Sequence, residues 1–148
     1  MKPNILLLAE DLEDDIFLFE RALRRRNIAC VVRVASNGNE ALDYLFGKNK
    51  FANRVAFPLP SLVILDIKMP EMDGLEALKH IRQDARLSKL PVLIFTSSKC
   101  EEDVELAYEL GANAYMVKPA DINQLGEMLE VMTKFWFGIN VLPNLRQV

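Results

Sequence analysis

Apolar residues gather in five short runs along the chain: Ile5–Ala9, Val31–Val34, Leu62–Leu65, Val92–Phe95 and Ala114–Val117. Between the runs, apolar positions recur every three to four residues among polar ones. Runs of this length mark strands buried on both faces, and the longer period marks amphipathic helices. Their alternation predicts an α/β fold, a doubly wound five-stranded parallel sheet with helices on both faces.

The first helix is expected over about Asp14–Arg26, with Ile16, Phe17, Leu18, Phe19 and Leu23 as its apolar stripe. Val31–Val34 carries Arg33 and reads as an edge strand. Ser36-Asn37-Gly38 turns the chain into a second helix that places Ala41, Leu42, Leu45 and Phe46 inward. Leu75, Leu78 and Ile81 mark the third helix. Val104, Leu106, Ala107 and Leu110 mark the fourth, which starts near Cys100 and has Gly111 as its C-terminal cap. Asp121 caps the last helix, with Leu125, Met128, Leu129, Met132 and Phe135 on its apolar side. The helical pattern stops between Gly47 and Pro60, a long connection for a compact domain. Phe51, Val55 and Phe57 are expected to pin it to the body, with direct contact to a partner as the other reading.

A chain of 148 residues suits one domain. The expected organisation is a single unit over 1–148, with the long loop at about 47–60 and an apolar tail at about 136–148. The 51% hydrophobic and 26% charged composition is that of an ordinary globule. A formal net charge of −3 argues against a nucleic-acid surface. Arg24-Arg25-Arg26 is the local exception, and cations at a helix end complement its dipole, although a basic docking patch is the alternative. Cys30 and Cys100 lack metal or redox spacing. No apolar stretch is long enough to span a bilayer, and Met1-Lys2-Pro3-Asn4 enters the first strand without a signal-peptide pattern. A cytoplasmic protein with reduced thiols is expected.

Composition does not say what the chain does; the strand ends do. Glu10 and Asp11 follow the first run, Asp66 the third, Thr96 the fourth, and Lys118 closes the fifth just before Pro119. Parallel sheets bind ligands at the carboxyl ends of their strands, so these residues converge on one site. Each has a plainer reading alone: Asp66 as a turn residue, Thr96 as a cap, Lys118 as a solvated loop, Glu10–Asp15 as an acidic helix start. His80 lies in the third helix without a ligand partner in the pattern. Together the residues suit acyl-phosphate chemistry. Three acids repel one another, a hard divalent cation such as Mg²⁺ relieves the repulsion, and Lys118 and Thr96 offer donors to phosphoryl oxygens.

Glu10-Asp11, Asp66 with Met69-Pro70 and Asp73-Gly74, Thr96-Ser97 and Lys118-Pro119 together resemble the receiver domain of two-component response regulators, over essentially the full chain. The resemblance implies a flavodoxin-like sheet of order 2-1-3-4-5. It implies that Asp66 takes a phosphoryl group from a histidine kinase's phosphohistidine, with Asp11 a direct Mg²⁺ ligand, Asp66 in the same metal set, Glu10 contributing through water, and Lys68 by its backbone carbonyl. Thr96 and Lys118 would bind the phosphoryl group, and Tyr115 matches the family's rotating aromatic switch. Glu10 departs from the Asp found in many receivers and has a longer arm. Lys68 adds a cation beside the site.

Asp43-Tyr44-Leu45-Phe46-Gly47-Lys48, the long loop, and Phe135-Trp136-Phe137 with Leu142-Pro143 are similar to single-domain regulators paired with cyanobacterial phytochromes. A phytochrome-type sensor kinase is the partner this implies. The short stretch after the last helix leaves no room for an output module, so output is expected through a downstream protein partner, onward phosphotransfer or a change of assembly. The expected assembly is a homodimer through the last helix and tail, with Met128, Met132, Phe135, Trp136, Phe137, Ile139, Val141 and Leu142 as its apolar surface. The alternative has the tail folding back over the sheet edge. A signalling switch, and not an enzyme, is the leading reading. A constitutive pseudo-receiver adaptor is one competitor. An Asp-nucleophile phosphatase is the other, and the haloacid-dehalogenase type would want an Asp where Lys68 stands.

Overall fold

The computed structural model describes residues 3–145. Met1-Lys2 and positions 146–148 of the expected tail lie outside the described residues. Five strands, β1 (Ile5–Ala9), β2 (Val31–Ala35), β3 (Leu62–Leu65), β4 (Val92–Thr96) and β5 (Ala114–Val117), form one parallel sheet of order β2-β1-β3-β4-β5. The five helices are α1 (Glu13–Arg25), α2 (Gly38–Phe46), α3 (Gly74–Gln83), α4 (Glu101–Glu109) and α5 (Ile122–Thr133). A flavodoxin-like topology is therefore present.

Successive strand side chains point to opposite faces, which splits each apolar run into two cores. Leu7, Ala9, Val63, Leu65, Val92 and Ile94 pack beneath α2 and α3 with Tyr44, Leu45, Leu78 and Ile81. Leu6, Leu8, Leu62, Ile64, Leu93 and Phe95 pack beneath α1 and α5 with Phe19, Leu23, Leu129 and Met132. This explains why β1 and β3 are apolar at every position and β4 at all but its last, Thr96, while edge strand β2 tolerates Arg33.

Some expected inward positions face out. Phe17 is 55% and Leu18 39% exposed, because one helix stripe admits residues three and four apart and Phe19, Ala22 and Leu23 already fill it. Leu106 (42%) and Phe135 (45%) face outward for the same reason. Asn37 and Asp121 accept hydrogen bonds from Glu40 N and Gln124 N at 2.9 Å, capping α2 and α5. Gly111 follows α4 at φ +102°, as its capping position requires.

The 47–60 connection holds a 3₁₀ turn at Asn49–Phe51 and is docked differently from the expectation. Phe51 and Phe57 pack against Tyr44, with ring centroids 4.9 and 6.0 Å from the tyrosine. Val55, however, is 94% exposed. Its place is taken by Arg54, whose guanidinium donates to the carbonyls of Tyr44 (2.7 Å), Leu45 (3.0 Å) and Phe57 (3.0 Å). Two of those carbonyls lie in the last turn of α2, where helical bonding runs out and only Gly47 N reaches Tyr44 O (3.1 Å), so a planar multi-donor group fits where a valine cannot.

Of the basic run, Arg26 donates to Glu130 Oε2 (2.9 Å) and Asn123 O (3.3 Å), tying α1 to α5. After α5 the chain makes a π-helical turn, Lys134–Ile139. Trp136 and Phe137 then pack at the rim of the α1/α5 core, and Leu145 reaches the opposite core. Part of the tail therefore folds back, while Ile139 and Val141 stay exposed.

Candidate functional site

The sheet register brings the strand ends together. Ala9 pairs with Leu65, Leu65 with Ile94, and Thr96 with Val117, so the following residues emerge on one rim. Backbone bonds continue one step past the strands: Glu10 N to Ala35 O, Asp66 N to Ala9 O, and Lys118 N to Thr96 O, at 2.9, 3.0 and 2.8 Å. Glu10, Asp66 and Thr96 are buried, whereas Asp11 is half-exposed.

Carboxylate oxygens of Glu10, Asp11 and Asp66 lie within 4.8 Å of one another. Lys118 neutralises part of this cluster. Its Nζ donates to Glu10 Oε2 (2.6 Å), Asp15 Oδ2 (2.7 Å) and Asp66 Oδ2 (2.8 Å). The remaining oxygens of the two buried acids are held by backbone, Glu10 Oε1 by Leu12 N and Asp66 Oδ1 by Ile67 N. Among the described residues, no side chain pairs with the Asp11 carboxylate. Burial pushes the Glu10 carboxyl up to about 7, against the opposing pull of its hydrogen bond from Lys118. For Lys118, burial alone favours the neutral amine. The bonds to Asp15, Asp66 and Glu10 outweigh it and hold the ammonium charged well above the usual lysine range.

These oxygens suit a hard divalent cation, which prefers carboxylates and keeps part of its water shell. Asp11 and Lys68 also border an open cleft of about 590 Å³, shared with Ile67, Met69, Pro70, Asp73 and Asp103. Lys68 is exposed and Met69 buried, so the loop carries a polar side chain at the surface above an apolar base. Gly74, at the start of α3, allows this loop to close. A Cβ there would lie 1.9 Å from the Asp66 carbonyl oxygen.

Thr96 Oγ1 accepts a hydrogen bond from Ser98 N at 3.4 Å. Ser98 is a junction: its Oγ donates to Asp103 Oδ2 (2.6 Å), and its carbonyl accepts from the Tyr115 hydroxyl (2.9 Å). The β4–α4 loop therefore links Thr96 to Tyr115 through Ser98. His80 is exposed on α3, away from this cluster.

The structure thus brings together Glu10, Asp11, Asp66 and Lys118 as expected, with Thr96 on the same rim. It adds Asp15 and Gly74, to which sequence reasoning assigned no role. Asp15 stands four residues after Asp11, in the first turn of α1. That spacing was the available signal, hidden in an acidic run that reads as a helix start.

Residues 6–130 match the response regulator receiver domain family. Response regulator Rcp1 of Synechocystis is 32% identical over 141 residues, 95% of this chain and 94% of that protein. The crystal structure of response regulator RPA3017, in red light signaling of R. palustris, superposes with a TM-score of 0.91 at 35% identity. It covers 95% of this chain and 99% of its own. The phosphorylated cyanobacterial phytochrome response regulator RcpA gives 0.88 at 31% identity, covering 97% and 100%. The Mn²⁺-bound form of Rcp1 gives 0.85 at 32%, covering 96% and 100%. A strand-end acid cluster held by one lysine, in a sheet of this order and with these likenesses along nearly its whole length, makes the chain a member of the response regulator receiver domain family.

Proposed function

We propose that this protein is a phosphoacceptor switch, taking a phosphoryl group onto Asp66 from the phosphohistidine of a sensor histidine kinase in the cytoplasm. The observation that carries the reading is the Lys118 ammonium held 2.8 Å from Asp66 beside two further acids at the strand ends. In the transfer, an Asp66 carboxylate oxygen bonds to phosphorus as the phosphorus–nitrogen bond breaks, and its electron pair stays on the imidazole. Lys118 screens the charge of the acids and then faces a phosphoryl oxygen. Thr96 offers its hydroxyl to another once it leaves Ser98.

Mg²⁺, held by Asp11, Asp66 and the Lys68 carbonyl with Glu10 acting through water, would supply the charge neutralisation that lets an anionic donor approach. The Mn²⁺-bound Rcp1 structure supports a divalent ion in this kind of site. Drawing Thr96 toward the phosphoryl group loosens the Ser98 junction, which frees Tyr115 and shifts the α4 face between two packings. Turnover chemistry is not required of such a switch.

The likeness to RcpA, a cyanobacterial phytochrome response regulator, supports a phytochrome-type kinase as the partner, and the likeness to RPA3017, a regulator in red light signaling, agrees with it. Output would pass to a downstream protein. We further place a homodimer on α5 and the segment after it, where Val131 (69% exposed), Phe135, Ile139 (68%) and Val141 (91%) present large apolar side chains.

The test is labelling by a small phosphodonor. Asp66 is expected to be labelled in Mg²⁺ and left unlabelled in excess chelator, and Asp66→Asn is expected to stay unlabelled. Labelling of Asp66→Asn at the wild-type rate would overturn the assignment.

A further inference from the structure

An ammonium has three N–H donors, and all three of Lys118's end on carboxylates. Two of the acceptors, Glu10 and Asp66, are buried at the strand ends. The third, Asp15, comes from the first turn of α1 and keeps 32% of its side chain exposed. The reading of Asp66 as phosphoacceptor gives Asp15 no role, yet its 2.7 Å bond is as short as the others.

A saturated ammonium has no proton free for an incoming oxygen. When Asp66 carries a phosphoryl group, Lys118 must give up one carboxylate to hold it. Glu10 is buried with its other oxygen fixed by Leu12 N, and Asp66 is the acceptor itself. Asp15 is the partner that competes.

We propose that Asp15 is a positioning residue that acts through Lys118. It draws the ammonium toward α1 and competes with the phosphoryl oxygen for the third N–H, so it weakens the hold on the phosphorylated state. This rests on the phosphoacceptor reading above. Asp15 touches neither donor nor phosphorus. Its effect is to set how firmly Lys118 grips, and thereby how easily the signalling state forms and decays.

The neighbour Asp14 supplies the control. It carries the same formal charge in the same turn of α1 but is exposed and makes no bond to Lys118. Replacing either acid by its amide changes net charge equally, so a difference between them reports the Lys118 contact alone.

The experiment measures the affinity of the full chain for beryllium trifluoride, a phosphoryl mimic, at saturating Mg²⁺. Asp15→Asn is expected to bind about fivefold tighter than wild type, the order of a single close charge–charge contact in a wet environment. Asp14→Asn is expected to stay near wild type, and Asp15→Glu to return toward it. A purely structural role for Asp15 predicts weaker binding on its loss, together with a lower urea midpoint. Should Asp15→Asn fold poorly, Asp15→Ser is the second variant. Wild type that binds the mimic while Asp15→Asn matches Asp14→Asn would overturn the inference and leave the phosphoacceptor reading standing. Wild type with no affinity for the mimic would overturn that reading itself.

Discussion

Gly74→Ala is expected to damage both the fold and the site, for a reason unrelated to glycine's backbone freedom. Gly74 is the first residue of α3, and its N–H donates to Ile67 O at 2.9 Å. A Cβ added there would sit 1.9 Å from Asp66 O, 2.8 Å from Asp66 C and 3.3 Å from Ile67 Cα. Carbon and oxygen in close non-bonded contact stay about 3.3 Å apart, so the overlap exceeds about 1 Å. All three obstacles are backbone and cannot rotate away. Overpacking of this kind costs about 3 kcal/mol, offset by up to about 1 kcal/mol from alanine's better helix propensity. The net loss of about 2 kcal/mol, with a urea slope of about 2 kcal/mol/M, lowers the unfolding midpoint by about 1 M. Because the strained atoms belong to Asp66, phosphodonor labelling is expected to fall as well. Gly138→Ala, with nothing within 4 Å of its added methyl, is the matched control. An unchanged midpoint for Gly74→Ala would refute the steric argument.

Arg54→Ala removes three hydrogen bonds to carbonyls and is expected to cost about 2 kcal/mol in urea unfolding, with Arg54→Lys recovering only part. Wild-type stability of Arg54→Ala would show that the aromatic contacts alone dock the loop. Burial raises the Cys30 thiol, leaving less thiolate at pH 8, whereas Cys100 is exposed. A disulfide reagent at pH 8 should therefore modify Cys100 first, Cys30 lagging about tenfold and catching up as pH rises. Equal rates would contradict the burial. Val131→Lys places a charge on the exposed face of α5 and is expected to yield monomers by sedimentation under conditions where wild type is dimeric. A wild type that is monomeric at tens of micromolar, with and without a phosphoryl mimic, would remove the dimer.

Inner strands β1 and β3 were the most legible because burial on both faces leaves no polar position to confuse the pattern. Leu62–Leu65 and Ile5–Ala9 begin and end where their apolar runs do. The acids, Thr96 and Lys118 were legible because a strand end fixes direction as well as place. Helix faces were less so. Phe17 and Leu18 are as apolar as Phe19, and only packing against Leu6 and Phe95 decides which one goes in. Asp15 was hidden because its partner is 103 positions away and its reach depends on how α1 leaves the sheet. Val55 and Arg54 exchanged roles because hydrophobicity scores side chains and ignores the carbonyls that a helix end leaves open to further donors.

That exchange leaves the loop with an outward tip available as a reporter position. Val55 shares a cleft with Pro3, Asn4 and Ile5, at the ends of the strands opposite Glu10 and Asp66. The five residues of β1 separate the two ends by about 15 Å. A fluorophore carried on a cysteine at position 55 would therefore leave the acid cluster untouched. It would stand on a segment clamped by a guanidinium, so changes in its emission would track partners docking on that end of the molecule.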